Sequence, residues 1–292
     1  DPDRKKMSKS KGNVVTPLSL LEQYSTDAVR YWAASGRPGV DTAFSEDQMK
    51  VGRKLATKLL NASKFVLGFP EADGEVSHPI DRAMLTRLDA VITEATDGFA
   101  GFDYARALER TEAFFWWFCD DYVELVKSRA YAGDASAPTA LRTALSVLQR
   151  LFAPFLVFTA EEVWSWWHDG SVHTQSWPTP TGATGDDRVL ALTGEVLAQV
   201  RRAKTEAKVS QRAVVRHCRV TADAEQLLHD RGPWPVASSR MAASLLRAPR
   251  TSPAMRPSCT TSTRSASAST SGSSELTKST ARPRPASSCS RA

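Results

Sequence analysis

Apolar side chains recur every three or four residues along much of the chain, which is the spacing of a helix with one buried face. A half-buried strand would need strict alternation of apolar and polar residues, and no such run is long enough to predict a sheet. The pattern therefore predicts a mainly α protein built as a helical bundle. Four of its helices are predicted at residues 79–98, 103–132, 138–167 with a break at Pro154, and 187–207.

Capping residues predict two short helices ahead of these four. The first begins at Thr16, with Pro17 in its first position. The second ends at Gly36 and begins with Ser25 or Thr26 and Asp27.

A long helix follows, because Ser45 and Gln48 form a Ser-x-x-Gln capping box, and it reaches Phe69. On a helical wheel its apolar residues share one side, namely Val51, Leu55, Leu59, Ala62 and Val66. Its polar residues share the other side, namely Lys50, Arg53, Lys54, Asn61 and Lys64.

The helix predicted at residues 103–132 is the most apolar of the set. Its run FFWWFCDDYVEL has aromatic residues around too wide an arc for a surface helix, so we expect it at the centre of the bundle. Core positions, rather than stacking on bases, are also expected for Trp116, Trp117, Trp166 and Trp167. The stretch SVHTQSWP, residues 171–178, predicts a short extended segment.

The composition changes near residue 231. Residues 231–292 carry ten Lys or Arg and a single acid, and 16 of these 62 residues are serine. Such a segment buries too little apolar surface to offset the entropy of ordering it, so we expect disorder from about residue 232. The rest of the chain holds 28 basic and 31 acidic residues, so its contacts with nucleic acid would need local basic faces.

Neither a membrane helix nor a secretory signal is indicated, since no run of 18 apolar residues exists and the first residues are polar. We therefore expect a cytoplasmic protein. The cysteines are far apart and form no C-x-x-C pair, which argues against a zinc site or a disulfide framework: Cys119, Cys218, Cys259 and Cys289.

The opening stretch DRKKMSKSKGN, residues 3–13, has no apolar period and predicts a loop. Its five cations are Arg4, Lys5, Lys6, Lys9 and Lys11. Flexible ammonium groups suit a polyphosphate, while small residues let the backbone come close to it. A solvated surface or a general nucleic-acid patch is the alternative interpretation.

Lys6-Met7-Ser8-Lys9-Ser10 matches the KMSKS signature of class I aminoacyl-tRNA synthetases. The continuation KGNVVTPLSLLEQYSTDAVRYWAA resembles the segment that leads to the stem-contact helices of the valyl, leucyl and isoleucyl members. GRKLATKLLNASKFVLGF and FAPFLVFTAEEVWSWW are most similar to the valyl members, whose anticodon-binding bundle they resemble. The resemblance covers residues 1 to about 215. Leucyl and isoleucyl members, or a tRNA-binding module without catalysis, are the alternatives.

The resemblance implies an enzyme that joins valine to ATP and then transfers the aminoacyl group to tRNA(Val), with Mg²⁺ accompanying ATP and no metal site in this chain. It assigns Lys9 to ATP, with Lys6 in a supporting electrostatic role. Hydrogen bonding is expected from Ser8 and Ser10, and a turn from Gly12. Phosphates of tRNA are expected on the basic side of the long helix, at Lys50, Arg53, Lys54 and Lys64, although a merely solvated face would look the same.

Four regions are expected on this basis. They are the end of a catalytic domain at residues 1–42, the anticodon-binding bundle at 43–185, a helix toward a C-terminal arm at 186–230, and the basic tail at 231–292. The family's HIGH tetrapeptide is not in the sequence, and HDGS at 168–171 does not replace it. We therefore expect the chain to be inactive without a catalytic body. We also expect a monomer.

The composition of residues 231–292 resembles an out-of-frame translation of G+C-rich DNA, and a functional basic tail is the rival hypothesis. We predict that a shifted reading frame beyond about codon 215 encodes Leu/Glu/Lys heptads. Sequencing the coding DNA checks this, and stop codons in both other frames would contradict it.

Overall fold

A computed structural model describes residues 5–12, 14, 16–71, 74–215 and 218, and the predicted tail from residue 231 lies outside them. The described residues form helices and no strand, which confirms the mainly α fold class. The helices are α1 Pro17–Tyr24, α2 Thr26–Ala34, α3 Glu46–Leu67, α4 Pro79–Ala100, α5 Tyr104–Trp117, α6 Val123–Tyr131, α7 Ser136–Phe152, α8 Val157–Trp164 and α9 Asp187–Glu206.

Helix α3 follows its predicted cap and its predicted faces. The Ser45 hydroxyl accepts a hydrogen bond from the backbone N–H of Gln48 at 3.3 Å, which satisfies one of the free donors of the first turn. Leu55, Leu59 and Val66 are buried in the main core, and the predicted polar side is exposed. Burial of one side and solvation of the other therefore orient α3 on the bundle.

The aromatic helix is central, as predicted, but it is not continuous. A five-residue π-helix, Phe118–Tyr122, joins α5 to α6; we call it the π segment. Phe115, Phe118 and Tyr122 are fully buried. The wider π turn directs Asp120 to Lys58 on α3 at 2.9 Å and Asp121 to Arg201 on α9 at 2.6 Å. Periodicity predicts a helix here and carries no signal for this change of turn.

Two predictions about local structure are wrong in part. Residues 172–174 form one turn of 3₁₀ helix rather than an extended segment, because Glu161 accepts a hydrogen bond from the Val172 N–H at 3.0 Å. Trp166 is 36% exposed rather than buried, since its indole N–H donates to Glu162 on the solvent side of α8. The other three tryptophans predicted in the core are partly buried against it: Trp116, Trp117 and Trp167.

A buried carboxylate joins the ends of four helical segments. Asp81, in the first turn of α4, has no exposed surface. It accepts hydrogen bonds from the Arg129 guanidinium at 2.6 Å, from the Tyr122 hydroxyl at 2.8 Å and from the Ser136 hydroxyl at 2.7 Å. Burial lowers the pKa of Arg129, but hydrogen bonds and charge from Asp81 and Asp134 outweigh it, so the pKa is raised. The carboxylate thus ties α4, the π segment, α6 and α7 together.

We predict that Asp81→Asn lowers the free energy of unfolding by about 1.5–3 kcal/mol, because the Arg129 guanidinium loses the buried one of its two carboxylate partners and keeps only Asp134. Tyr122→Phe is the matched control, since it removes one hydrogen bond from the same carboxylate and costs about 1 kcal/mol. Urea unfolding of both variants checks this. Equal losses would show that the ion pair adds nothing beyond an ordinary hydrogen bond.

Candidate functional site

The loop that contains the signature residues Lys6 to Ser10, called the signature loop here, has a defined turn that ends at Gly12. Lys9–Lys11 form a single 3₁₀ turn, in which the Ser8 carbonyl accepts from the Lys11 N–H at 3.1 Å. Gly12 ends the turn with a φ of +66°, in the left-handed region that favours glycine. No heavy atom lies within 4 Å of the place where a Cβ would stand. The glycine is therefore required by the backbone conformation and not by a lack of space.

The side chains of the loop project into solvent. Lys6 and Lys9 are exposed, and the Ser8 and Ser10 hydroxyls are hydrogen-bonded to each other at 2.7 Å. Within the described residues, Lys9 and Lys11 form no ion pair. Two ammonium groups with no acidic partner on an exposed turn leave a concentrated positive charge that an anionic ligand can approach.

Helices α1 and α2 connect this loop to the bundle. Leu20, Tyr24 and Ala28 form a small apolar cluster with Met49 of α3. Gly52 of α3 allows a closer approach, because a Cβ there would lie 2.7 Å from the Tyr31 side chain. The short helices therefore pack directly on the first turns of α3.

A second connection comes from Asp27, which is buried in α2 and caps a helix far away in the sequence. Its carboxylate accepts from the Phe158 N–H at 3.1 Å, the Thr159 N–H at 2.7 Å and the Thr159 hydroxyl at 2.6 Å. These donors belong to the first turn of α8, whose N–H groups have no partner within the helix. Arg30 adds a hydrogen bond to the Pro154 carbonyl at 2.9 Å. The capping pattern predicts Asp27 only as part of the local start of α2, because such a pattern does not show a contact with a helix far away in the sequence.

The basic side of α3 is exposed along its length, but its charges are not all free. Lys50 pairs with Asp47 at 2.9 Å, and this hydrogen bond with its charge raises the pKa of the Lys50 ammonium. Arg53 donates to the Gln23 carbonyl at 3.3 Å. Lys54 has no ion pair among the described residues. The structure therefore brings three of the four predicted cations onto the first half of one helix face and leaves Lys54 the most available.

Exposed aromatic rings lie at the other end of α3, where Lys64 is located. The Lys64 ammonium is 5.7 Å from the centre of the Trp166 ring. Tyr131, which is 72% exposed, packs its ring 4.9 Å from Phe69 and 6.4 Å from Phe65. Tyr131 could not be predicted as an exposed ring, because helical periodicity does not show that the last residue of a helix is left uncovered. Cations beside exposed rings suit unpaired nucleic-acid bases.

The described residues contain no group of three or more His, Cys, Asp or Glu side chains placed to hold a metal ion. Among them, no helix is long and apolar enough to cross a membrane. Cys119 is a free thiol, and burial raises its pKa to about 12. The His168 ring of the HDGS stretch stacks on Trp164 and packs at a tilt against Trp167, with ring centres 4.0 Å apart in both cases. It thus has a packing role.

Comparisons with known proteins match two parts of the chain to described families. Residues 81–220 match the family described as anticodon-binding domain of tRNA ligase, and residues 1–45 match tRNA synthetases class I (I, L, M and V). The chain is 60% identical over 240 residues to a valine–tRNA ligase of Thermobifida fusca, covering 77% of this chain and 27% of the relative. It is 54% identical over 245 residues to that of Salinispora tropica, covering 74% and 28%.

The fold is also similar to that of a solved structure. It is a chain of the ternary complex of Agrobacterium radiobacter K84 agnB2 LeuRS, tRNA and LeuAMS, with a TM-score of 0.50 and 22% identity over 62% of this chain and 23% of that chain. At this identity the likeness concerns the fold alone. The present chain spans about 27–28% of the length of the two valine–tRNA ligases.

We predict that Asp27→Ala raises amide hydrogen exchange about tenfold at Phe158 and Thr159, because losing an N-cap costs about 0.5–2 kcal/mol. The same change should speed exchange in α2, since one carboxylate joins both helices. Ser45→Ala is the matched control, because it removes a cap from α3 alone. Exchange measured by NMR or mass spectrometry checks this. An Asp27→Ala effect confined to α8 would mean that the cap does not hold α2.

Proposed function

This chain belongs to the class I tRNA synthetase family, and we propose that it forms the signature-loop and tRNA-binding part of a valine–tRNA ligase. The observation that carries the proposal is the complete KMSKS loop, joined through α1 and α2 to a bundle that matches an anticodon-binding domain. The identity to two valine–tRNA ligases favours valine over leucine or isoleucine. The reaction would join valine to ATP as an adenylate, release pyrophosphate, and transfer the aminoacyl group to tRNA(Val).

Lys9 is the residue we assign to the chemical step. As the valine carboxylate attacks the α-phosphate, negative charge grows on the departing pyrophosphate. An ammonium on a closing loop stabilises that charge more in the transition state than in the ground state. The exposed position of Lys9 on a short turn, with no acidic partner among the described residues, supports this role.

The other loop residues act on the same phosphates. Lys6 adds positive charge, and the paired hydroxyls of Ser8 and Ser10 offer hydrogen bonds to phosphate oxygens. Gly12 gives the loop the left-handed turn that it needs to close. Mg²⁺ would arrive on the ATP phosphates, and we assign it no ligand in this chain. The proposal also includes a monomer that works in the cytoplasm.

The tRNA is proposed to lie along the exposed side of α3. Lys54 and its neighbours Lys50 and Arg53 would follow the phosphate backbone without reading sequence. At the far end of the helix, Tyr131 and Trp166 beside Lys64 offer faces on which unpaired bases can stack. Backbone contacts at one end and stacking at the other match the shape of a stem that ends in a loop.

We predict that Lys9→Ala lowers the rate of adenylate formation by about 10²–10³, the scale of losing one preorganised charge partner. Lys11→Ala is the matched control, because it removes a lysine two positions away and outside the signature. Both variants are made in a chimera that places the preceding region of the Thermobifida fusca relative before this chain, and valine-dependent pyrophosphate exchange is measured.

Three results of that experiment would count against the proposal. Exchange driven by leucine or isoleucine and not by valine would remove the valine assignment. Equal rates for Lys9→Ala and the parent chimera would make Lys9 an ordinary surface charge. Exchange above background by the 292-residue chain alone would contradict the need for a catalytic body.

We predict that charge reversal at Lys50, Arg53 and Lys54 weakens tRNA binding and flattens its salt dependence, with a loss of about 0.7–0.9 in log–log slope for each phosphate contact removed. Tyr131→Ala should weaken binding by about 1–3 kcal/mol per stacked base with the slope unchanged. Lys127→Glu on α6 is the control, since Lys127 pairs with Glu124 much as Lys50 pairs with Asp47. Filter binding at several salt concentrations checks this, and equal effects of the control would show that general charge alone matters.

A further inference from the structure

The corner between α4 and α5 holds a bulky residue in a conformation that favours glycine. The N–H of Asp103 bonds to the Gly98 carbonyl at 2.8 Å, and the N–H of Phe102 bonds to the Phe99 carbonyl at 3.1 Å. These two bonds form a Schellman motif, whose left-handed residue is usually Gly. Here that residue is Phe102, with a φ of +59°.

The corner cannot easily relax to remove this strain. A Cβ on Gly98 would lie 3.1 Å from the Asp103 carbonyl oxygen and 3.3 Å from Ala107, so α4 and the start of α5 are in close contact. Phe102 gains little in return, because 78% of its surface is exposed. An exposed aromatic residue at a position that disfavours it weakens the fold, which points to a use outside the fold.

Two clefts lie near this corner, and residues close to Phe102 in the sequence help to line them: Tyr104 and Ala105. Tyr104, 39% exposed, lines a cleft of 280 Å³, and Val40, 64% exposed, lines a larger one of 730 Å³. The two clefts share Gly36, Arg37 and Thr42. We call Val40, Phe102 and Tyr104 with these clefts the corner surface.

The charges of the corner surface disfavour a nucleic acid. Asp41, Glu109 and Glu112 line the larger cleft, and Arg37 is the only cation in its lining. Arg37 itself lies 3.5 Å from Glu109 and 3.9 Å from Asp103. Acidic side chains therefore outnumber cations where a phosphate backbone would approach, whereas a protein segment with apolar anchors and basic residues would be complementary.

We propose that the corner surface is the docking site for the catalytic body that precedes this chain in a complete synthetase. Val40 lies in residues 1–45, the part that matches the class I synthetase family, so one wall of the cleft is the last stretch of that region. The other wall is α5 of the bundle. The relatives have most of their length outside the matched part, which supplies an occupant of the required size. The inference rests on the proposed function.

The test compares the 292-residue chain with the chimera described above by amide hydrogen exchange, without tRNA. We expect exchange at residues 36–44 and 101–105 to be at least tenfold slower in the chimera, while exchange near Tyr131 stays the same. Phe102→Gly and Phe102→Ala separate strain from contact. Both remove the ring, but only glycine relieves the left-handed conformation, so only Phe102→Gly should raise the thermal midpoint of the 292-residue chain. In the chimera both should reduce the protection.

Equal exchange of the corner in the two proteins would overturn the inference, and protection that appears only after tRNA is added would assign the surface to nucleic acid instead. A thermal midpoint that Phe102→Gly leaves unchanged would show that Phe102 does not destabilise the fold, and it would count against the inference. The proposed function is tested by a different measurement, valine-dependent pyrophosphate exchange. An active chimera with an unprotected corner would overturn only the docking inference. An inactive chimera with a protected corner would contradict only the assigned activity.

Discussion

A carboxylate with no contact with water is the constraint around which the bundle is arranged. Removing Asp81 from solvent is costly, and the cost is offset only if all its oxygen atoms are satisfied and a countercharge is close. Arg129, Tyr122 and Ser136 meet these needs, but they come from three different segments. Satisfying one buried group therefore fixes α4 relative to the π segment, α6 and α7. Burial and then the charge of Asp81 raise the pKa of Tyr122, which keeps its hydroxyl proton in the network.

The π segment shows how this constraint reaches the outer helices. In a regular helix Asp120, Asp121 and Tyr122 would be spaced 100° apart, and the wider π turn changes those directions. Here they reach α3, α9 and α4 respectively. One short irregular segment thus connects the central helix to three others. The irregular turn is less favourable than a regular helix, and this is offset because each of the three side chains gains a charged or hydrogen-bonded partner.

Local signals explain what the sequence predicted well. Caps such as Ser45 and apolar spacing such as Leu55, Leu59 and Val66 depend on neighbours within a few residues, so they can be read without the fold. Contacts between residues far apart leave no such signal, and Asp27 caps α8 across 131 positions. Trp166 is exposed because its indole N–H bonds to Glu162 on the solvent side of α8, which apolar spacing does not show. The loop lysines were identified by resemblance to a family signature, and their roles remain predictions.

The sequence of the candidate site shows which residues carry charge, but not which of those charges are available to a ligand. Four cations on α3 look equivalent in the sequence, yet Asp47 partly neutralises Lys50 and the Gln23 carbonyl occupies Arg53. The acidic side chains are also distributed unevenly, with Asp41, Glu109 and Glu112 lining the cleft near the start of α3. A bundle with a small net charge can still orient a polyanion, because attraction on one face and repulsion beside it act together. The orientation of a bound nucleic acid would then be set by the fold that separates the two kinds of charge, while Asp27 and Gly52 keep the loop-bearing helices at a fixed place against that fold.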